Sequence, residues 1–293
     1  MGKKKSDFVG MVAKMEKKGR PTDEEVERYV DELAKASKPL SRIYYEIDKG
    51  ISDAIEKDAV QPVQLSWLPT DTARKSIFRP IADYQLEGNY TNFKRTSGWG
   101  TLEVGGPPLN MVDEGILLAL LLEVRKKRTL SIKVNYKSVC KSLNISDQTK
   151  NRRRIKLGIK KLRKVYFDFE GKKGKTSIKN IIKAFAGDKE YSYIELDPWF
   201  FDKFLKNEIT MLDLEFRQSL KGDITKALYR FLSSHRGTQR YYLETLVLAL
   251  NMNIDKETKL NRITLKRSFA QLKTKKFCSF RFKDDLFFEI RVL

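Results

Sequence analysis

The sequence predicts an α+β chain of two tandem winged helix-turn-helix units behind a helical N-terminal segment. Three observations carry this. The stretch Gln148 to Lys164 holds nine Lys or Arg and no acidic residue, and places Ile155, Ile159 and Leu162 on one helical face. Around it the order is short helix, turn, long basic helix, β-hairpin, which is the order of a winged helix-turn-helix. The same order then recurs at offsets of 107 to 110 residues.

Residues 1–60 form the N-terminal helical segment. Thr22 can cap a helix with Glu25 returning the bond, and Val26, Tyr29, Val30 and Leu33 supply its apolar stripe before Pro39. A second stripe runs through Ile43, Ile47, Ile51 and Ile55. Such a hairpin either packs on the body of the protein or docks a partner; amphipathicity says only that something covers the face. Residues 61–110 turn to Pro, Gly, Ser and aromatics, and read as an extended linker followed by a strand or hairpin.

The first winged unit spans residues 111–207. Asp113 can cap an apolar helix over Glu114 to Lys126, Leu130 to Val134 reads as a short strand, and Tyr136 to Ser146 as a short helix ended near Asn144. After the basic helix, Tyr166 to Glu170 and the following GKKGK read as the wing. Ile178 to Gly187 and Tyr191 to Asp197 have the spacing of a further hairpin, and Pro198 opens a last helix.

The second unit spans residues 208–293. Ile224 to His235 is its apolar helix, Tyr242 to Asn253 stands where Tyr136 to Ser146 stood, and Lys259 to Lys276 is again long, basic and without acid. Leu143, Asn144 and Ile145 align with Leu250, Asn251 and Met252 at an offset of 107; Ile155, Ile159 and Leu162 align with Leu265, Phe269 and Leu272 at an offset of 110. Phe277 to Phe282, a turn at Lys283 to Asp285, and Leu286 to Leu293 supply the second wing. A charge run on a helix is ordinarily a solvated face. Two copies in register point instead to a repeated cationic function.

Charge sets the class of partner. The net charge is +21, yet residues 1–60 carry 13 basic and 13 acidic side chains, so the whole excess, 46 basic against 25 acidic, belongs to residues 61–293. That is a polyanion-binding surface. The basic residues sit opposite ordinary core stripes, without the large apolar face that an interfacial membrane helix needs. The longest apolar run, Ile116 to Leu122, is far short of the ~20 residues of a membrane span, and nothing apolar follows the lysines of MGKKKSDFVG. A soluble cytoplasmic protein is expected, with Cys140 and Cys278 as buried thiols rather than a bridge.

Signatures of catalysis are weak. Gly174-Lys175-Thr176 resembles the end of a phosphate loop, but Phe169 stands where the loop needs glycine and no helix follows. Asp168 and Glu170 share a strand face, as a two-metal primase site would want, without a further acidic cluster beside them. His235 is the only histidine, which removes paired metal-binding histidines. No catalytic residue, metal site or cofactor is expected.

The stretches Leu68 to Arg79 (LPTDTARKSIFR), Tyr229 to Gly237 (YRFLSSHRG) and Leu243 to Met252 (LETLVLALNM) resemble, in order and spacing, those of TrfA-type plasmid replication initiators. The resemblance covers about residues 64–293 and implies tandem winged-helix domains that bind direct repeats (iterons) at an origin, help open an AT-rich segment and bring in the replicative helicase or its loader. Gln64, Leu65, Ser66 and Leu68 also resemble the sliding-clamp-binding pentapeptide of that family, with Trp67 where an aliphatic residue is usual and Leu68 where an aromatic is. A homodimer is a further expected association. Alternatives are a repressor of its own operon and an origin primase.

Base edges should meet residues near the start of each basic helix, namely Lys150, Arg153 and Arg154 in the first and Lys259, Arg262, Ile263 and Arg267 in the second. Lys160, Lys161, Lys164, Lys172, Lys173 and Lys175 are expected on phosphates, with Lys266 completing the DNA-binding set.

Overall fold

The computed structural model describes residues 64–80, 93–97, 100–127, 129–171, 174–178, 180–187, 190–235, 237–252, 258–282 and 287–293. The helices expected within residues 1–60, the loop lysines Lys172 and Lys173, and the Lys283 to Asp285 turn lie outside the described residues. The chain is α+β, with helices and short, mostly antiparallel sheets intermixed.

The first unit is built on α2 (Met111–Lys127), whose side chains from Ile116 to Leu122 are all buried. A helix apolar on every side must be covered on every side. Its cap is Asn110 rather than the expected Asp113: the Asn110 Oδ1 accepts from the Val112 and Asp113 amides at 2.8 and 3.0 Å, and Asp113 Oδ2 accepts from the Asn110 amide at 3.0 Å. The reciprocal bonds form a capping box, so Asp113 sits inside the helix, not before it.

Strand β6 (Ser131–Asn135), α3 (Tyr136–Ser142) and α4 (Thr149–Lys164) complete the helix-turn-helix. Asn144 adopts φ 52°, and the chain closes the end of α3 with bonds from Leu143, Asn144 and Ile145 to the carbonyls of Val139, Lys141 and Cys140. The left-handed residue lets the chain turn back under the helix while its last carbonyls stay satisfied. Gly158 brings α4 close to α2, since a Cβ there would lie 2.4 Å from Ile116 Cδ1.

Strand pairing departs from expectation. The hairpin β7 (Tyr166–Gly171) and β8 (Gly174–Ile178) does not join β6; it extends β3 (Phe93–Ser97) and β4 (Gly100–Gly105) into a four-stranded sheet ordered β3-β4-β7-β8. The strands beside β6 are β9 (Ile182–Gly187) and β10 (Tyr191–Leu196), ordered β6-β10-β9. Register accounts for the choice. Ile132 lies opposite Ile194 in β6 and β10, whereas Phe167 of β7 falls in one row with Val104 and Ile178. Each strand thus meets apolar partners on its buried face.

The segment expected to be an extended linker is instead structural. Strand β1 (Leu65–Pro69) pairs antiparallel with β11 (Ile209–Asp213), α1 (Thr70–Arg74) follows, and β2 (Phe78–Arg79) pairs parallel with β5 (Leu109–Asn110). Ser66 Oγ donates to the Leu118 carbonyl at 2.6 Å, the Arg74 guanidinium to the Ser234 carbonyl at 2.9 Å, and Asn251 Nδ2 to the Ser76 carbonyl at 3.3 Å. One stretch therefore bonds to both winged units.

Helix α5 (Pro198–Leu205), capped by Asp197, leads through β11 and α6 (Leu214–Ser219) to the second unit. There α7 (Asp223–Ser233), β12 (Thr238–Tyr242), α8 (Leu243–Ala249) and α9 (Thr258–Thr274) precede the hairpin β13 (Cys278–Phe282) and β14 (Phe287–Val292). The order β12-β14-β13 repeats β6-β10-β9, which makes β7 and β8 an insertion relative to the second copy. Asn251, 107 residues after Asn144, has φ 58°, and Leu250, Asn251 and Met252 repeat the same three bonds to Leu246, Leu248 and Val247. Both cysteines are buried and free.

Candidate nucleic-acid interface

Helix α4 buries Ile155, Gly158, Ile159 and Leu162 and turns Lys150, Arg153, Arg154, Leu157, Lys160 and Lys164 outward. The spacing of three and four residues is one continuous helical stripe. Five of the nine cations of Gln148 to Lys164 belong to that stripe, and three others make bonds that bear on their expected roles. Arg152 is clamped to Asp147 at 2.6 and 2.7 Å, a bond that raises the guanidinium pKa and lowers that of the carboxyl. Lys156 reaches the Gly187 carbonyl of β9 at 3.5 Å. Lys161, expected on phosphate, lies half-buried with its ammonium 3.2 Å from Asp113 Oδ2, so it ties α4 to the cap of α2. That bond competes with the phosphate contact expected of it.

Helix α9 buries Leu265, Ser268, Phe269 and Leu272 against α7, where Thr225 Oγ1 bonds Ser268 Oγ at 3.0 Å. Lys259 and Arg267 are exposed, while Arg262, Ile263 and Lys266 are half-buried. The Lys266 ammonium rests over the Phe282 ring at 4.3 Å, which ties the middle of α9 to the first strand of its hairpin. Phe269, Phe280, Phe282 and Phe288 pack together beneath.

The two helices are coupled through their supports. Glu114, in the first turn of α2, accepts from Arg217 Nε and Nη2 at 3.0 and 2.9 Å and, on its other oxygen, from Arg230 Nη1. All three side chains are buried, and Arg217 also donates to the Met111 carbonyl at 3.0 Å. Burial pushes the Arg217 pKa down to about 10 and that of Arg230 down to about 9, which leaves both charged at neutral pH. Since α4 packs on α2 and α9 on α7, this triad ties the support of one basic helix to that of the other. Sequence reading missed it; the available signal was charge inside apolar helix stripes, as at Arg230 within Tyr229 to Leu232.

The remaining expected positions separate. Lys175 lies in β8, and Lys172 and Lys173 fall between β7 and β8 outside the described residues. The hairpin that bears them is the insertion, not the strand pair beside β6. Ser66, Trp67 and Leu68 are fully buried and Gln64 and Leu65 half-buried, with Trp67 against Phe204 at 4.9 Å. A clamp would have to strip β1 from β11, and the motif is corrected from a free peptide to a core strand. Asp168 accepts from Ser177 Oγ. His235 is packed between Phe231 and Tyr241, with Nδ1 2.9 Å from the Phe231 carbonyl. Among the described residues no helix is long and apolar enough to cross a membrane.

Residues 101–233 match the family model described as Initiator Replication protein, WH1. The structure of a selenomethionine derivative of domains 2 and 3 of RctB superposes with a TM-score of 0.55 at 14% identity, covering 77% of this chain and 98% of that one. A second structure of RctB domains 2-3 gives 0.49 at 10% identity, covering 75% and 95%. The first of these shows a shared fold. No curated protein matches. Over residues 101–233 the family match agrees with the expected resemblance to a Rep-type replication initiator.

Proposed function

We propose that this chain is a replication initiator that binds double-stranded origin DNA sequence-specifically through α4 and α9, each in a major groove, and does so on repeated sites of the iteron kind. The carrying observation is the repetition itself: two cationic helices stand at equivalent positions in two winged units whose supporting helices are joined by Glu114 and Arg230. A solvated face has no need of the copy. Bound to repeats, the protein would help open an adjacent AT-rich segment and recruit the helicase or its loader, with the charge-neutral residues 1–60 as the recruiting segment. It acts in the cytoplasm without catalysis of its own and dimerises off its site, which a measurement of mass in solution checks.

The test is titration of the full chain onto fragments of the DNA flanking its gene. One fragment should outcompete random DNA, with a log-log salt slope of about 0.9 for each phosphate neutralised. Single-strand-specific oxidation should then mark an AT-rich tract beside the repeats. Occupancy without opening would make the protein an operon repressor, and no preference for any flanking fragment would overturn the reading.

A further inference from the structure

The buried stripes set α4 and α9 in one register. Ile155, Ile159 and Leu162 align with Leu265, Phe269 and Leu272 at an offset of 110, and all six are 0–1% exposed. The same offset then pairs the outward positions, and there the chemistry is exchanged. Lys150 corresponds to Leu260, Arg153 to Ile263, and Leu157 to Arg267. Farther along, Lys160 corresponds to Ala270. Arg154 and Lys164 correspond to Thr264 and Thr274, so the stripe of α4 is cationic with one leucine at its centre, whereas the equivalent stripe of α9 sets one arginine among aliphatic and hydroxyl side chains and carries its other cations beside it.

The leucines are not core residues that happen to graze the surface. Leu157 is 52% exposed, in the outward stripe of α4, and Leu260 is 49% exposed, in the first turn of α9. On a helix lying in a major groove, an aliphatic side chain can make neither a phosphate contact nor a hydrogen bond. The one apolar feature that a base edge presents there is the C5 methyl of thymine. Arginine instead suits the O6 and N7 pair of guanine.

Resting on the reading of α4 and α9 as recognition helices, we propose that Leu157, Leu260 and Ile263 read thymine methyl groups. The exchange gives the two units different base preferences. Each binding element is therefore asymmetric: the part under α4 is held mainly by cations around a single thymine contact, and the part under α9 is read through thymines flanking an Arg267 contact. A single chain consequently binds its element in one orientation.

The experiment uses a duplex selected from a random-sequence pool by the full-length chain. Each thymine is replaced singly by deoxyuridine, which removes only the methyl group, and binding is compared for the wild type, Leu157→Ala, Leu260→Ala and Ile263→Ala. Removing a methyl under α9 should weaken wild-type binding roughly three- to fivefold, the effect of one buried methyl-sized group, and should have no effect on the variant lacking its partner side chain. The matching pair under α4 should depend on Leu157 alone. If no thymine is sensitive while selective binding persists, or if deoxyuridine weakens wild type and all three variants equally, the proposal is overturned. Recovery of no preferred sequence would instead overturn the DNA-binding reading on which it rests. The wild-type arm stands by itself should an alanine variant fold poorly.

Discussion

Arg230, in the second winged unit, places its guanidinium on the carboxylate of Glu114 in the first, and both side chains are wholly buried. Arg217 occupies the other oxygen of the same carboxylate, so one acid neutralises part of two desolvated cations. A buried pair of this kind is weak as a source of net stability, because desolvation offsets much of the attraction. Removing one partner is another matter, since it leaves charge uncompensated in the interior.

Glu114→Gln should therefore destabilise the protein by about 3–5 kcal/mol in equilibrium denaturation. The combined change of Glu114→Leu with Arg217→Met and Arg230→Met should lose far less, as no buried charge remains. Equal losses in the two proteins would show that size and packing matter here rather than charge.

Stability should also fall on mild acidification through His235. Burial first, and the nearby Arg74 charge as well, hold its imidazole pKa below the ordinary value, against the opposing Phe231 carbonyl. The unfolded chain then binds the proton more readily than the folded one, so stability is fully present above about pH 6.5 and declines as pH falls from there towards the folded pKa. Thermal melts of the wild type and His235→Gln across this window should diverge, with the variant losing less. Parallel curves would remove His235 from the account.

Lys160 and Lys161 are adjacent in sequence but differ in engagement. Lys160 faces outward, and Lys161 is bonded to Asp113. Lys160→Ala should weaken DNA binding with the melting temperature unchanged. Lys161→Ala should weaken it less and lower stability slightly, by under about 1 kcal/mol for a half-exposed pair. The reverse ranking in a DNA titration would contradict the assignment.

The periodicity of α4 and α9 was legible because burial of every third or fourth residue is written into the spacing of apolar side chains. Ile155 and Leu265 announce their helices without any partner being known. The strands carried less. Alternation in Tyr166 to Glu170 gives a strand with one inward face, but not which strand lies beside it, and the hairpin next to β6 proved to be β9 and β10. Ser66 to Leu68 looked like linker because Pro69 follows and polar residues flank it; its burial comes from α2 and α5, far away in sequence. Charge inside an apolar stripe marked Arg230 as unusual, but its pairing with Glu114 was illegible for the same reason, since each is compensated by the other unit.

Base and phosphate contacts should separate by mutation. Arg153→Ala and Arg267→Ala should each reduce discrimination between the correct and an altered site by about 1–3 kcal/mol, whereas Lys173→Ala should weaken all sequences alike. Measured on matched and mutated duplexes, a uniform loss in all three variants would reassign both arginines to backbone.

The most direct measurement is a hydroxyl-radical footprint of the full chain on the DNA flanking its own gene. Two recognition helices whose supports are tied through Glu114 and Arg230 should protect two patches on one strand face within each bound element, separated by about 10–10.5 base pairs. Arg153→Ala should weaken one patch before the other, and Arg267→Ala should do so in the opposite order. A single protected patch per element, or protection that spreads without preferred position, would contradict the claim that both winged units read DNA.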